Sequence, residues 1–185
     1  MSDGIHLVQV SRDAAVFDQS SEPHQRQLRY GEELQRRCPG STISFLVFGE
    51  RNAPDSSPCT QKNVTFYRLG KLGIVSLVKL FNLLIKLNRE KRINVITVQT
   101  IFDEMLIALL VGKVIGTNVV GQVHFDPFAE DAQRDQFPWC KFGPLRYWLG
   151  LKMLRFVHSL RVVGQRIGFE LSARTASHER KSYSD

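Results

Sequence analysis

Apolar residues in this chain fall into short unbroken runs, separated by amphipathic stretches of a dozen or more positions. That alternation predicts strands and helices in turn. The densest case is residues 94–128. NVITV at 94–98 is short, apolar and β-branched, as expected of a strand buried on both faces of a parallel sheet. Asp103 and Glu104 then place negative charge where a helix N-terminus favours it, ahead of a helix over 105–115. Gly116 supplies the stop, and residues 119–123 return as a second buried strand that ends on His124, Phe125, Asp126 and Pro127. Ligands of open α/β sheets collect outside the carboxyl ends of the strands. Residues 99–103 and 124–126 are therefore expected to share one rim.

The rest of the chain repeats or surrounds this unit. Residues 5–11 (IHLVQVS) read as the first strand, followed by a long polar loop over 12–22 of the kind that often binds ligands. Pro23 suits a first helical position with Ser21 or Glu22 as cap, and the helix runs to Cys38, where Pro39 and Gly40 end it. Strands follow at 42–48 and 64–69, separated by a polar loop over 50–63. Residues 74–87 form a helix that is apolar over most of its circumference, with Ser76, Lys79, Asn82, Lys86 and Arg89 as its polar stripe. So wide an apolar face fits a neighbouring helix, a second domain, or a membrane with Lys79, Lys86 and Arg89 near head groups. A loop at 129–142 leads to a helix opened by Gly143 and Pro144, a last strand at 159–163 and a short helix over 166–173. Residues 174–185 lack apolar periodicity and are expected to fray. Six strands alternating with helices predict one doubly wound, Rossmann-like domain over 1–173, with a mostly parallel sheet.

Composition narrows the function. Three widely spaced cysteines offer neither a disulfide framework nor a structural zinc site. With no basic leader at the start, the expectation is a cytoplasmic protein. No apolar run approaches the roughly 18 residues that span a bilayer. The net charge of +7 calls for an acidic partner, and residues 141–185 hold nine Lys/Arg against three Asp/Glu. Nucleic acid is not expected, since no recognition helix or aromatic-interleaved basic stripe appears. Nor is there a GxGxxG, a GxxxxGK[ST] or a GxSxG, which excludes the common dinucleotide, P-loop and hydrolase signatures. The five histidines lack metal-ligand spacing, so no metal is expected.

Three landmarks, taken in order, resemble the N-terminal domain of GT-B glycosyltransferases of the family-4-like group. They are HQRQLRYGEELQRR, the stretch VITVQTIFDEMLIALLVGKVIGTNVVGQVHFDPF, and RVVGQRIGFEL. Two departures stand out. Ser21 and Glu22 replace the glycine pair usual before the first helix, and no second domain carrying Glu-x7-Glu is present. The resemblance implies the acceptor-side half of an enzyme that moves a hexosyl unit from a nucleotide sugar with retention. The nucleotide sugar would be a co-substrate, with no further cofactor. The implied partners are a sugar or lipid-linked acceptor and a C-terminal domain or second polypeptide that binds the donor; the positive charge and the apolar helix at 74–87 add an anionic surface at the inner membrane face. The resemblance also implies that His124 contacts the donor sugar in the cleft, although a strand-capping histidine is the plainer reading of the residue itself. Asp126 either binds acceptor hydroxyls or turns the chain before Pro127. Gln99, Thr100 and Asp103 are candidates on the same rim, and Ser20, Ser21, His24 and Arg26 on the loop facing it. Arg166 is basic after the last strand, which a solvated helix start also explains. The non-catalytic alternative is a Rossmann-like binding or membrane-surface module.

Overall fold

The computed structural model describes residues 4–49, 58–100, 102–123 and 143–162. Its centre is a seven-stranded sheet. The strands are β1 (His6–Ser11), β2 (Thr42–Phe48), β3 (Cys59–Gln61), β4 (Val64–Gly70), β5 (Val95–Val98), β6 (Asn118–Val123) and β7 (Ser159–Val162). They lie in the order β3-β4-β2-β1-β5-β6-β7, and every pair is parallel except β3 with β4. Without the β3 hairpin strand this is the doubly wound Rossmann order, whose direction of winding reverses between β1 and β5. The fold class expected from the sequence is therefore present.

Among the described residues four helices flank the sheet: α1 (Glu22–Arg37), α2 (Ile74–Glu90), α3 (Asp103–Ile115) and α4 (Gly143–Met153). Alternation along the strands sorts the core into two layers. Ile43, Phe45, Val47, Val64 and Phe66 face α1 through Leu28 and Leu34. Val8, Val10, Leu46, Ile96 and Val98 face the other way, onto Leu80, Leu84 and Leu87 of α2 and Met105, Ala108 and Val111 of α3. A central strand covered on both sides has no solvent face to carry polar side chains, hence the β-branched runs.

Local chemistry sets the helix ends. Ser21 caps α1 by accepting from the His24 N–H (3.2 Å). α3 ends where Gly116 turns left-handed at φ 68°, and the Thr117 N–H reaches back to the Gly112 carbonyl (2.8 Å). Gly112 lets α3 lie against β6, because a Cβ there would stand 2.6 Å from Val119 Cγ2.

Four details differ from the sequence expectation. The polar loop at 50–63 contains β3, joined to β4 through Lys62 at φ 57° and Asn63. The loop at 12–22 contains a 3-10 turn, Ala14–Phe17, capped by Asp13. The helix opened by Gly143 ends at Met153 and tightens into a 3-10 turn, Leu154–Phe156, before β7. Ser76 does not belong to a solvated stripe. It is buried, and its hydroxyl donates to the Lys71 and Gly73 carbonyls. The expected short helix at 166–173 and the tail at 174–185 lie outside the described residues, as does the whole loop at 129–142.

Candidate functional site

The reversal between β1 and β5 opens a crevice at the carboxyl ends of these two strands, and the side chains gathered there are polar. The register sets Gln9 beside Thr97 and Val10 beside Val98, so the residues that follow, Ser11 and Gln99, meet across the gap. The Ser11 hydroxyl donates to Gln99 Oε1 at 2.5 Å and accepts from the Asp13 N–H at 3.0 Å. One hydroxyl thus joins the two halves of the sheet and starts the β1–α1 loop.

One residue further along, Arg12 reaches Glu104 in the first turn of α3. The contact is side-on and bidentate: Nε donates to Oε1 and Nη2 to Oε2, the latter at 2.8 Å. Glu104 is 1% exposed and Arg12 31%. A carboxylate this buried requires a partner, and the planar guanidinium supplies a matched pair of donors. Arg12 also lies 5.8 Å over the Phe102 ring. Thr97 Oγ1 within β5, Thr100 Oγ1 just beyond it and Arg68 Nε on β4 are buried with no hydrogen-bond partner among the described residues. Buried polar atoms in native folds are generally satisfied, so the Thr100 hydroxyl, which lies at the rim, is available to a water or a ligand.

Of the candidates named from sequence, the structure brings Gln99, Thr100 and Asp103 together on this rim. Gln99 is engaged by Ser11, Thr100 is unpaired, and Asp103 sits in the first turn of α3 beside Glu104. The loop candidates have local tasks. Ser20 donates both its hydroxyl (2.7 Å) and its N–H (2.9 Å) to Asp18, which holds the Asp18 carboxyl below its ordinary value. Ser21 caps α1 while donating to the Ala15 and Asp18 carbonyls. His24 is not on an open loop surface. It is 2% exposed, its ring stacks on Phe66 at 5.0 Å, Nδ1 donates to the Val16 carbonyl, and Nε2 meets the Gln61 side-chain amide. In this conformation it presents nothing to a ligand. Arg26 pairs with Glu22 at 3.1 Å along the helix surface. Lys86 pairs with Glu90 on α2, and Lys79 and Arg89 lie exposed on the same helix. His124, Asp126 and Arg166 lie outside the described residues.

Ser11, Arg12 and Glu104 were not among the sequence candidates. Glu104 had a simpler explanation as a charge favoured at a helix N-terminus, and Arg12 began a loop. The available signal was a bulky cation directly after the first strand of a doubly wound fold. Among the described residues no group of three or more His, Cys, Asp or Glu is placed to hold a metal ion. No described helix is long and apolar enough to cross a membrane.

No family model matches this chain, and no curated protein matches it. Among solved structures it is similar to the UDP-GlcNAc 2-epimerase from Methanocaldococcus jannaschii, with a TM-score of 0.52 and 11% sequence identity. The match covers 92% of this chain and 43% of that one, so the chain spans less than half of its structural neighbour. At that identity the likeness establishes the fold, and the fold it establishes is GT-B-like.

Proposed function

We propose that this chain is the acceptor-side half of a retaining glycosyltransferase that moves a hexosyl unit from a nucleotide sugar, completed by a C-terminal donor-binding domain. The observation that carries this reading is the polar crevice at the β1–β5 reversal, with its Ser11–Gln99 bond, Arg12–Glu104 pair and unpaired Thr100 hydroxyl, on a GT-B-like scaffold. One fact supports it from outside the site: the structural neighbour is an enzyme of a nucleotide sugar. In such a reaction the transition state is oxocarbenium-like and charge builds on the departing diphosphate. Donors fixed in advance toward that charge lower the barrier most. On this reading His124 contacts the donor sugar, while Asp126, Gln99, Thr100 and Asp103 line the acceptor side.

The test pairs this chain with its C-terminal domain, supplied on one polypeptide or as a second one. Nucleoside diphosphate release is measured against a panel of nucleotide sugars and acceptors. The completed protein is expected to transfer sugar, and the isolated chain is expected to be inactive. His124→Ala is expected to abolish transfer while the thermal unfolding curve stays in place. Transfer by this chain alone would overturn the half-enzyme reading, transfer indifferent to His124 would overturn the role given to that residue, and no transfer by the completed protein would leave a binding module.

A further inference from the structure

The exposed apolar surface of this molecule is one-sided. Among the described residues, ten of the twelve exposed large apolar side chains lie on α2, α3, α4 and the 3-10 turn after α4, all on one side of the sheet. They include Ile74 and Val75 on α2, Leu106, Leu110 and Val114 at four-residue spacing along α3, and Phe156. Val114 is 70% exposed and Phe156 71%. Between α3 and the 3-10 turn runs an open groove of about 640 Å³, lined by Leu106, Leu110, Met153 and Phe156, with Lys113 and His158 at its edge. Soluble monomers rarely leave so much contiguous apolar surface without a use for it.

The exposed charges on this layer are mostly basic. Lys71 precedes α2, and Lys79, Lys86, Arg89, Lys113, Lys152 and Arg155 follow along the helices. The described acids on the same elements are already occupied or lie at the rim. Glu90 faces Lys86, Glu104 is buried against Arg12, and Asp103 stands at the start of α3. Lys152 sits 5.3 Å over the Trp148 ring, joining an apolar body to a cation at one depth. Protein–protein interfaces are depleted in lysine, whereas aliphatic side chains flanked by lysines, with a tryptophan among them, suit the boundary between acyl chains and head groups. We propose that the outer face of α2, α3 and α4 seats on a bilayer carrying anionic head groups, with the α3–α4 groove taking up acyl chain. The surface does not depend on the proposed transferase activity, and its test requires no sugar.

The experiment is co-sedimentation of the chain with phosphatidylcholine vesicles, with and without phosphatidylglycerol, at low and high salt. Binding is expected with phosphatidylglycerol only, and to weaken as salt shortens the screening length. Leu110→Glu/Val114→Glu is expected to weaken it by roughly tenfold or more, as for withdrawing buried side chains from an apolar medium. Lys113→Glu/Lys152→Glu is expected to remove the dependence on phosphatidylglycerol, and Tyr30→Glu on α1 to change nothing. If the double glutamate variant fails to fold, Val114→Ser serves in its place. The proposal is overturned if the wild type ignores phosphatidylglycerol vesicles, or if the apolar substitutions leave binding intact. It is also overturned if the wild type sediments as a dimer that these substitutions dissociate, since a second copy would then cover the face.

Discussion

Replacing Arg12 with methionine removes the cation from Glu104 while keeping most of the apolar stem. The carboxylate, 1% exposed, is then left buried without its two charge-assisted bonds. Breaking a fully buried pair from one side costs about 3–5 kcal/mol. Arg12 is 31% exposed, so water enters the vacated space, and the expected loss falls to about 2–4 kcal/mol. Glu104→Gln keeps the shape and one acceptor and frees Arg12 to hydrate, for a loss of about 1–2 kcal/mol that includes the charge at the α3 N-terminus. If these two losses reflect one interaction, the double variant recovers about 1–3 kcal/mol of their sum. The assay is urea unfolding at neutral pH, followed by circular dichroism, with the slope compared across all four proteins. Because the carboxylate is buried, the coupling is expected to persist in high salt. Additivity within about 0.5 kcal/mol would refute the reasoning. So would an Arg12→Met loss below that size, since the pair would then be ornamental.

Gly112→Ala and Gly116→Ala, four residues apart, are expected to fail for different reasons. The first drives a Cβ to 2.6 Å from Val119 Cγ2 and costs about 1–3 kcal/mol in denaturant unfolding. The second has nothing within 4 Å but must hold φ at 68°, at about 1–2 kcal/mol, most of which Gly116→Asn should restore. His6 is buried, with Nδ1 donating to the Lys91 carbonyl and Nε2 accepting from the Ser44 hydroxyl, and burial holds its imidazole below the ordinary 6.5. The unfolded chain therefore binds a proton more readily than the folded one. Stability from this group is complete above 6.5 and lost as pH falls through that value toward the lowered one, a slope His6→Asn should flatten in pH-dependent melts. Glu33 accepts from both Arg36 and Arg37 and is held at about 2. A titration followed by NMR should move it toward the ordinary carboxylate range when both arginines become alanine.

Period and punctuation alone were enough to read six strands, the four described helices and the doubly wound class, because apolar runs and cap residues act over a few neighbours. β3 was not legible. Its three residues, Cys59–Gln61, are polar, and its turn forces Lys62 to φ 57° without the glycine that normally announces such a hairpin. His24 was misread for a related reason. With Gln27 and Gly31 it lies at helical spacing on the buried face of α1, yet these are polar or small residues that no hydropathy pattern marks as core. The rim was legible as a place, since strand ends follow from strand assignments. Its chemistry was not. Arg12 and Glu104 are 92 positions apart, and nothing in one sequence says that two such charges meet.

The position of β1 bears on the order in which this structure assembles and loosens. β1 pairs with β2 through one helical crossover, but with β5 only after some 88 residues have been gathered in. Loop closure of that length is entropically demanding, so the two halves of the sheet are expected to consolidate first and to zip together last. The Ser11–Gln99 and Arg12–Glu104 contacts lie on that final seam. The same seam should be the first to part in native-state fluctuations, which amide exchange at β1 and β5 would reveal. A seam that parts ahead of global unfolding would make the two residue pairs at the crevice the latch that sets how often it opens.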